Sequence, residues 1–381
     1  MIRFEPWSTT LGLGGLFALG VAAALLARPA LRHANRWVAT LLVVMALKIA
    51  PYALGYAGFY DTHPWLSFAP FDHPLALGPL LWLHVQQRTS RELPHGWGWH
   101  LLPPVLALVY ASLCFVQPLA WKNDWNARVH EPFIAPALTL LGLLSLAMYL
   151  RKAFGRQADY QAWLAQHVSN ADEHRFTALR ALLLGLVAWV LLSGPYELAT
   201  AVWRLDYFDR FGLYLALALL VVALGLEAWR HVQPAHPLQP PAPEPEPALP
   251  AAPAAGPQAR TAAGAAAIDW RQQGKAWRAR TAAEGWWRDP ELSLESLARR
   301  LGTNTNYLSR AFNEGLGQNF SDVIGGLRVE WVCQRLAEAG TDPPGMLQLA
   351  LDAGFASKST FNRVFKNHTG LTPTAWIRAK R

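Results

Sequence analysis

An all-α chain in two parts is predicted: a bundle of seven apolar helices, then a smaller helical domain of ordinary composition. Three observations carry that prediction. The 381 residues are 52% hydrophobic and only 16% charged, against roughly 25% charged in an average soluble chain. The apolar residues gather ahead of about residue 230, in runs long enough to cross a bilayer. Beyond a proline-rich stretch the pattern changes to short amphipathic helices punctuated by glycine. Cys114 and Cys333 are far apart and exclude a disulfide-stapled scaffold and a cysteine-based zinc site. The net charge of +8 suits anionic lipid, nucleic acid or both.

The apolar part covers residues 1–230. Its runs lie at about 8–27, 37–58, 67–87, 100–120, 131–150, 178–200 and 208–229. A spanning helix needs about 20 apolar residues, because lipid offers the backbone no hydrogen-bond partner. The third run, holding Asp72, His73, Pro74 and Pro79, fits this least well. A soluble bundle would need a charged face on helices of this length, and these runs have almost none. Arg28, Arg32 and Arg36 mark the first loop, Arg88 and Arg91 the third, and Arg151, Lys152, Arg156 and Arg175 the fifth. The second loop has no Lys or Arg, the fourth has Lys122 and Arg128, and the sixth has Arg204 and Arg210. Positive residues stay on the cytoplasmic side, so the amino terminus is expected in the periplasm and everything after Arg230 in the cytoplasm. Residues 1–27 also read as a cleavable signal peptide with Arg3 as its basic region, but the cluster Arg28, Arg32 and Arg36 favours an uncleaved first helix. Trp7, Trp37, Trp65, Trp97, Trp99, Trp121, Trp203 and Trp229 fall near span ends, where an amphipathic ring prefers the headgroup region.

Residues 231–261 form a Pro/Ala-rich linker, dense enough in proline to forbid helix or sheet and to favour an extended spacer. Residues 262–284 are helix-permissive and carry Arg271, Lys275, Arg278 and Arg280. That basic face could rest on lipid or on a nucleic-acid backbone, though such faces are more often merely solvated.

The final part, residues 285–381, contains two short helix pairs. In LSLESLARRLGTNTNYLSRAF, Ser293 caps a helix with Leu294, Leu297, Ala298 and Leu301 on its apolar face, and Gly302 ends it. Thr303 or Asn304 starts a second helix whose buried stripe is Tyr307, Leu308, Ala311 and Phe312, leaving Asn306, Ser309, Arg310 and Asn313 outside. In MLQLALDAGFASKSTFNRVF, Gly354 and Phe355 make the turn and Ser357 caps a helix with core residues Phe361, Val364 and Phe365. Its other face presents Lys358, Ser359, Thr360, Asn362, Arg363 and Lys366, donors and acceptors suited to base edges and phosphates. Between the pairs lies Phe320 to Glu338, roughly 27 Å of helix, able to hold two recognition helices about one DNA turn apart. Helix, glycine turn and helix, twice over, describe tandem helix-turn-helix units. From Trp286 onward the net charge is only about +3, so binding would rest on placed phosphate contacts rather than an overall field.

These segments, with RVEWVCQRL, KNHTGLTP and the final WIR, resemble the AraC/XylS-type DNA-binding domain over about residues 285–380. The resemblance implies a seven-helix monomeric module that inserts both recognition helices into successive major-groove segments. It implies Asn306, Ser309 and Arg310 as base readers in the first unit, and Lys358, Ser359, Thr360, Asn362 and Arg363 in the second. Gly325-Gly326 departs from the polar residue usual there, which is expected to loosen the start of the linking helix. Arg328 and Arg335 read as ion-paired structure. DHPLALGPLLWLHV followed by WHLLPP resembles the amino-terminal region of membrane-anchored AraC-type regulators.

Polar groups within spans are expensive and mark candidate sites: Lys48, Asp72, His84 and Glu197 are the candidate sensor residues. His73 and His84, eleven residues apart, would lie nearly on one helical face, but snorkelling or a Lys–carboxylate pair is expected over a metal or haem ligand. No nucleophile elbow, P-loop, HExxH or dinucleotide fingerprint occurs, so neither enzymatic activity nor a cofactor is expected. The expected protein is a membrane-bound one-component transcriptional regulator in the inner (cytoplasmic) membrane of a bacterium. Its expected partners are promoter DNA, the lipid bilayer, RNA polymerase, a second copy of the chain, and a small-molecule or envelope signal. The alternatives are a transporter or enzyme with an accessory DNA-binding tail, and a passive membrane anchor.

Overall fold

Prolines set many helix starts in the computed structural model of the protein, which describes residues 2–27, 29–90, 92–170, 177–203, 208–230, 269–338 and 345–380. A proline in the first helical turn gives up only an N–H that would have no intrahelical partner. Helices α1 (Pro6–Ala27), α2 (Pro29–Tyr56) and α4 (Pro74–Thr89) all begin this way, with the short α3 (Phe59–Thr62) before the last. Then come α5 (Leu102–Phe115), α6 (Leu119–Trp125), α7 (Ala135–His167), α8 (Thr177–Trp203) and α9 (Phe211–Arg230). No β-strand occurs among the described residues beyond one isolated bridge. The linker at 231–261 and the start of the basic stretch lie outside the described residues.

Each of the seven apolar runs contains a helix. Among the described residues, five helical stretches are long and apolar enough to cross a membrane: Pro6–Ala27, Asn35–Tyr56, Trp97–Phe115, Leu119–His167 and Phe208–Arg230. Leu183–Tyr196 is a shorter apolar helix. The third run departs from expectation. Its helix begins at Pro74 rather than near residue 67, because the residue before a proline is pushed out of the α region. His73 accordingly sits at φ −128°, ψ 66°. Asp72 and His73 therefore precede the helix, and His73 and His84 share no helical face. Every residue from Ala76 to Val85 is buried, so α4 is an inner helix enclosed by its neighbours. The outer face is apolar as well: Leu13, Leu16, Val109, Leu113, Leu144 and Leu191 are exposed, a surface that water does not favour. Trp37 departs from the headgroup reading, being buried against Trp97, ring centroids 5.1 Å apart.

The chain forms two compact units. One contains Met1–Ala158 and Phe176–Gln239, the other Asp159–Arg175 and Pro240–Arg381. The second unit holds α10 (Trp270–Ala283), α11 (Leu294–Leu301), α12 (Thr305–Arg310), α13 (Phe320–Glu338), α14 (Met346–Asp352), α15 (Lys358–Thr369) and α16 (Pro373–Lys380). Its core joins Leu297, Leu308, Phe312, Phe320, Ile324, Phe361 and Phe365. Burying such a side chain stabilises by about 1.5–3 kcal/mol. The basic stretch before it is no separate arm: α10 is capped by Asp269, pairs Arg278 with Glu330, and packs Trp277 on this core.

Candidate functional site

Local chemistry builds each helix pair of the second unit. Ser293 and Ser296 form a reciprocal capping box at the start of α11, at 3.1 and 3.0 Å. Asn304 caps α12 by accepting from the Tyr307 N–H at 2.8 Å, and Ser357 caps α15 by accepting from the Thr360 N–H at 3.2 Å. Both turns need a left-handed residue, supplied by Gly302 at φ 72° and Gly354 at φ 81°.

The two candidate reading faces differ. On α12, Asn306 and Arg310 are exposed and Ser309 is half-buried. Arg310 donates to Glu314 at 3.0 and 3.3 Å and lies over the Trp270 ring at 4.7 Å. Glu314 raises its pKa further above the ordinary arginine value. Ser309 accepts from Asn313 at 3.1 Å. Tyr307 is not in the buried stripe: it is exposed and meets Trp270, centroids 5.7 Å apart. On α15, Lys358, Ser359, Asn362 and Lys366 are exposed and Arg363 is half-buried, its pKa lowered by that burial. Thr360 leaves the reading face. It is buried, with its hydroxyl 3.0 Å from that of Ser357, because the third residue of a capped helix turns back toward the cap.

The linking helix α13 is continuous through Gly325-Gly326, contrary to the expected loosening. A Cβ on Gly325 would sit 2.9 Å from Val364 Cγ1, and one on Gly326 would sit 3.2 Å from the His368 ring. The pair is a close-approach surface on which α15 rests. Arg335 is ion-paired with Glu338 at 3.3 Å. Arg328 has no ion pair among the described residues. Fully buried, it donates to the carbonyls of Trp287 and Asp289, both at 2.8 Å. It also donates to Asn170 Oδ1 at 2.8 Å and Ser169 Oγ at 3.2 Å. Burial pulls its pKa down to about 10, against the charge of Asp289. Ser169 and Asn170 come just after α7 and carry no motif, so nothing in the sequence singled them out.

In the first unit, Lys48 Nζ lies 2.8 and 3.0 Å from the Asp72 carboxylate, so the Lys–carboxylate pair forms. His84 is buried within α4. Glu197 belongs to α8, but its side chain lies outside the described residues. Asp72 lines a cavity of about 170 Å³ together with Phe68, Tyr110, Cys114, Trp125 and His130. The Tyr110 hydroxyl accepts from Trp125 Nε1 at 3.1 Å and lies 2.9 Å from His130 Nδ1. Two unusual backbone features border this cavity. Phe68 sits at φ 66°, alone among described non-glycine residues in a positive φ, and Asn126–Ile134 winds as a π-helix. Both kinds of feature concentrate at functional sites. Sequence reasoning missed this cluster because His130 and Trp125 fall in what reads as a loop. No group of three or more potential metal-ligating side chains occurs among the described residues.

Comparison with known proteins finds a family match within the second unit. Residues 297–379 match the family model described as a helix-turn-helix domain. An uncharacterised HTH-type transcriptional regulator of Bacillus subtilis, YtdP, is 34% identical over 93 residues, 24% of this chain and 12% of that protein. The uncharacterised HTH-type transcriptional regulator SA0097 of Staphylococcus aureus is 35% identical over 83 residues, 22% of this chain and 11% of that protein. The multiple antibiotic resistance protein MarA of Salmonella typhimurium is 33% identical over 82 residues, 22% of this chain and 62% of MarA. The chain thus spans only 12% and 11% of the two larger regulators. No solved structure matches it.

Proposed function

We propose, given that the carboxy-terminal part of the chain is an AraC/XylS-type helix-turn-helix domain, that the protein is a membrane-bound one-component transcriptional regulator. One observation carries this reading: a DNA-binding domain and helices long and apolar enough to cross a membrane occur on one chain. The amino terminus faces the periplasm and the DNA-binding domain the cytoplasm, the arrangement that the Lys and Arg distribution favours and that access to DNA requires. Asn306, Ser309 and Arg310 read one half-site. Lys358, Ser359, Asn362 and Arg363 read the other, with Thr360 holding the helix start. The apolar half senses a small molecule or an envelope state, and the cavity beside Asp72, Tyr110 and His130 is where a small ligand would enter. A ligand acts only through different affinity for two arrangements of the chain. A second copy and RNA polymerase are the further partners.

The test uses the full chain in bacterial membranes. Reporter fusions after residues 60, 125 and 205 should report the periplasm, and one after residue 230 the cytoplasm. Arg310→Ala with Arg363→Ala should weaken binding to a selected promoter duplex about tenfold or more, without changing membrane insertion. A periplasmic signal after residue 230, or release of the wild-type protein by a salt wash, overturns the membrane reading. Undiminished DNA binding by the double variant overturns the site assignment.

A further inference from the structure

The second unit contains a segment that sequence order assigns to the other half of the chain. Asp159–Arg175 lies between two apolar helices in sequence, yet it belongs with Pro240–Arg381. Helix α7 leads to it. At 33 residues it is about 50 Å long, well beyond the roughly 30 Å of a hydrocarbon core. From Arg151, Lys152 and Arg156 onward it is no longer uniformly apolar, so its last turns extend into water.

The three residues after His167 dock by backbone and side chain together. Val168 forms an antiparallel bridge with Ser293, and the Ser169 N–H donates to the Leu292 carbonyl at 3.1 Å. Ser321 Oγ donates to the Ser169 carbonyl at 3.2 Å. Asn170, 3% exposed, is the hub. Its Nδ2 donates to the Pro290 carbonyl at 2.8 Å and the Gly354 carbonyl at 3.2 Å, while its Oδ1 accepts from Arg328. One amide therefore touches the lead-in to the first helix-turn-helix unit, the linking helix and the turn of the second unit. The docking is also electrostatically enforced. Arg328 is a fully buried cation, and two of its four acceptors come from Ser169 and Asn170. Withdrawing them would leave buried donors of a charged group unmet, which is costly. With the segment docked, Asn306, Arg310, Lys358, Ser359 and Asn362 remain exposed, so both reading faces stay open.

We propose that Val168–Asn170 is a clasp that fixes the two helix-turn-helix units in the arrangement needed to engage both DNA half-sites at once, and that the apolar half regulates DNA occupancy by seating or withdrawing this clasp through α7. The clasp seated is the high-affinity state; withdrawn, each unit still binds its half-site but the pair no longer binds as one. This rests on the reading of the chain as a DNA-binding regulator.

The experiment uses the full chain in nanodiscs of phosphatidylethanolamine and phosphatidylglycerol. Its probes are duplexes selected by the wild type from a random pool, intact and with either half-site scrambled. Asn170→Ala should lose about tenfold in affinity for the intact site and less than about twofold for single half-sites. A second variant shuts the clasp covalently. Val168 and Ser293 are a non-hydrogen-bonded antiparallel pair, about 4.5 Å apart at Cα, within reach of a disulfide. Val168→Cys with Ser293→Cys, oxidised, should bind the intact site at least as tightly as the same variant reduced. Intact-site affinity unchanged or raised in Asn170→Ala, or an equal loss on half-sites, overturns the clasp. So does weaker binding by the oxidised double variant. A wild type that selects no sequence at all overturns the DNA-binding reading, and the clasp falls with it.

Discussion

The two helix-turn-helix units share a plan but not a charge state. In the first, α12 has six residues and Arg310, the cation on its exposed face, is held between Glu314 and Trp270. In the second, α15 has twelve residues, no acidic side chain, and exposed Lys358 and Lys366. The units also differ in support. The first is buttressed by α10 from one side and the second leans on two glycines of α13. An anionic duplex therefore meets an available cationic face at the second unit and an internally neutralised one at the first. The second unit is expected to supply most of the salt-dependent affinity, and the first to contribute placement.

The largest expected effect attacks the second unit's support. Gly325→Val places a branched side chain where even a Cβ would be 2.9 Å from Val364 Cγ1. Val364 is itself branched and has little rotamer freedom to yield. Overpacking of this kind costs about 1–3 kcal/mol. Footprinting should show protection of the second half-site lost at protein concentrations that still protect the first. Equal loss of both would mean that the units do not dock independently on α13.

Next in size is the charge itself. Replacing Lys358 and Lys366 with Ala removes two cations that α15 does not neutralise. If each neutralises a phosphate, the slope of log affinity against log salt should fall by about 2. The share of the loss due to Lys366 should be similar for specific and scrambled duplexes, and the share due to Lys358, a reader of the second half-site, should be larger on the specific one. An unchanged slope would place the phosphate contacts elsewhere and erase the contrast between the units.

Much of this architecture is legible in the sequence, for identifiable reasons. Helix starts and turns announce themselves through short-range chemistry, so Ser293 and Ser357 as caps and Gly302 and Gly354 as turns can be read from spacing, while the cap between Thr303 and Asn304 is decided only by the hydrogen bond Asn304 accepts. The seven apolar runs are readable because long stretches almost without charge stand out in the sequence itself. Packing between distant segments leaves no comparable trace. Gly325-Gly326 reads as a weakness until α15 is seen lying on it, and Thr360 reads as surface by periodicity although its cap draws it inward. Tyr307 fits a core stripe, yet Trp270, thirty-seven positions earlier, gives it a partner outside. The third apolar run starts its helix late because Pro74 constrains His73, a rule available in the sequence but outweighed by the apolar run. Ser169 and Asn170 carry no signal at all: a serine and an asparagine after a helix are ordinary until a buried arginine is found between them.

The smallest effect is the most informative about the first unit. Glu314 sits one helical turn beyond Arg310, within hydrogen-bond reach of the guanidinium and half-exposed itself. Exposed pairs of this spacing contribute little to stability, so Glu314→Gln should leave the domain's stability nearly unchanged. Its consequence lies in the field at the DNA surface. Removing the carboxylate takes away a negative charge that would face the phosphates and releases Arg310 to reach them. Affinity for any duplex should rise about two- to fivefold at low salt, with the salt slope steeper by about 1. Specificity for the first half-site should decline as Arg310 exchanges a fixed position for a mobile one. Titrations of the wild type and Glu314→Gln against intact and half-site duplexes, at several salt concentrations, check all three. If Glu314→Gln instead weakens intact-site binding with no change in slope, the glutamate serves to aim Arg310 at its base and its charge does not oppose the phosphates. The first unit would then be the more discriminating reader of the two.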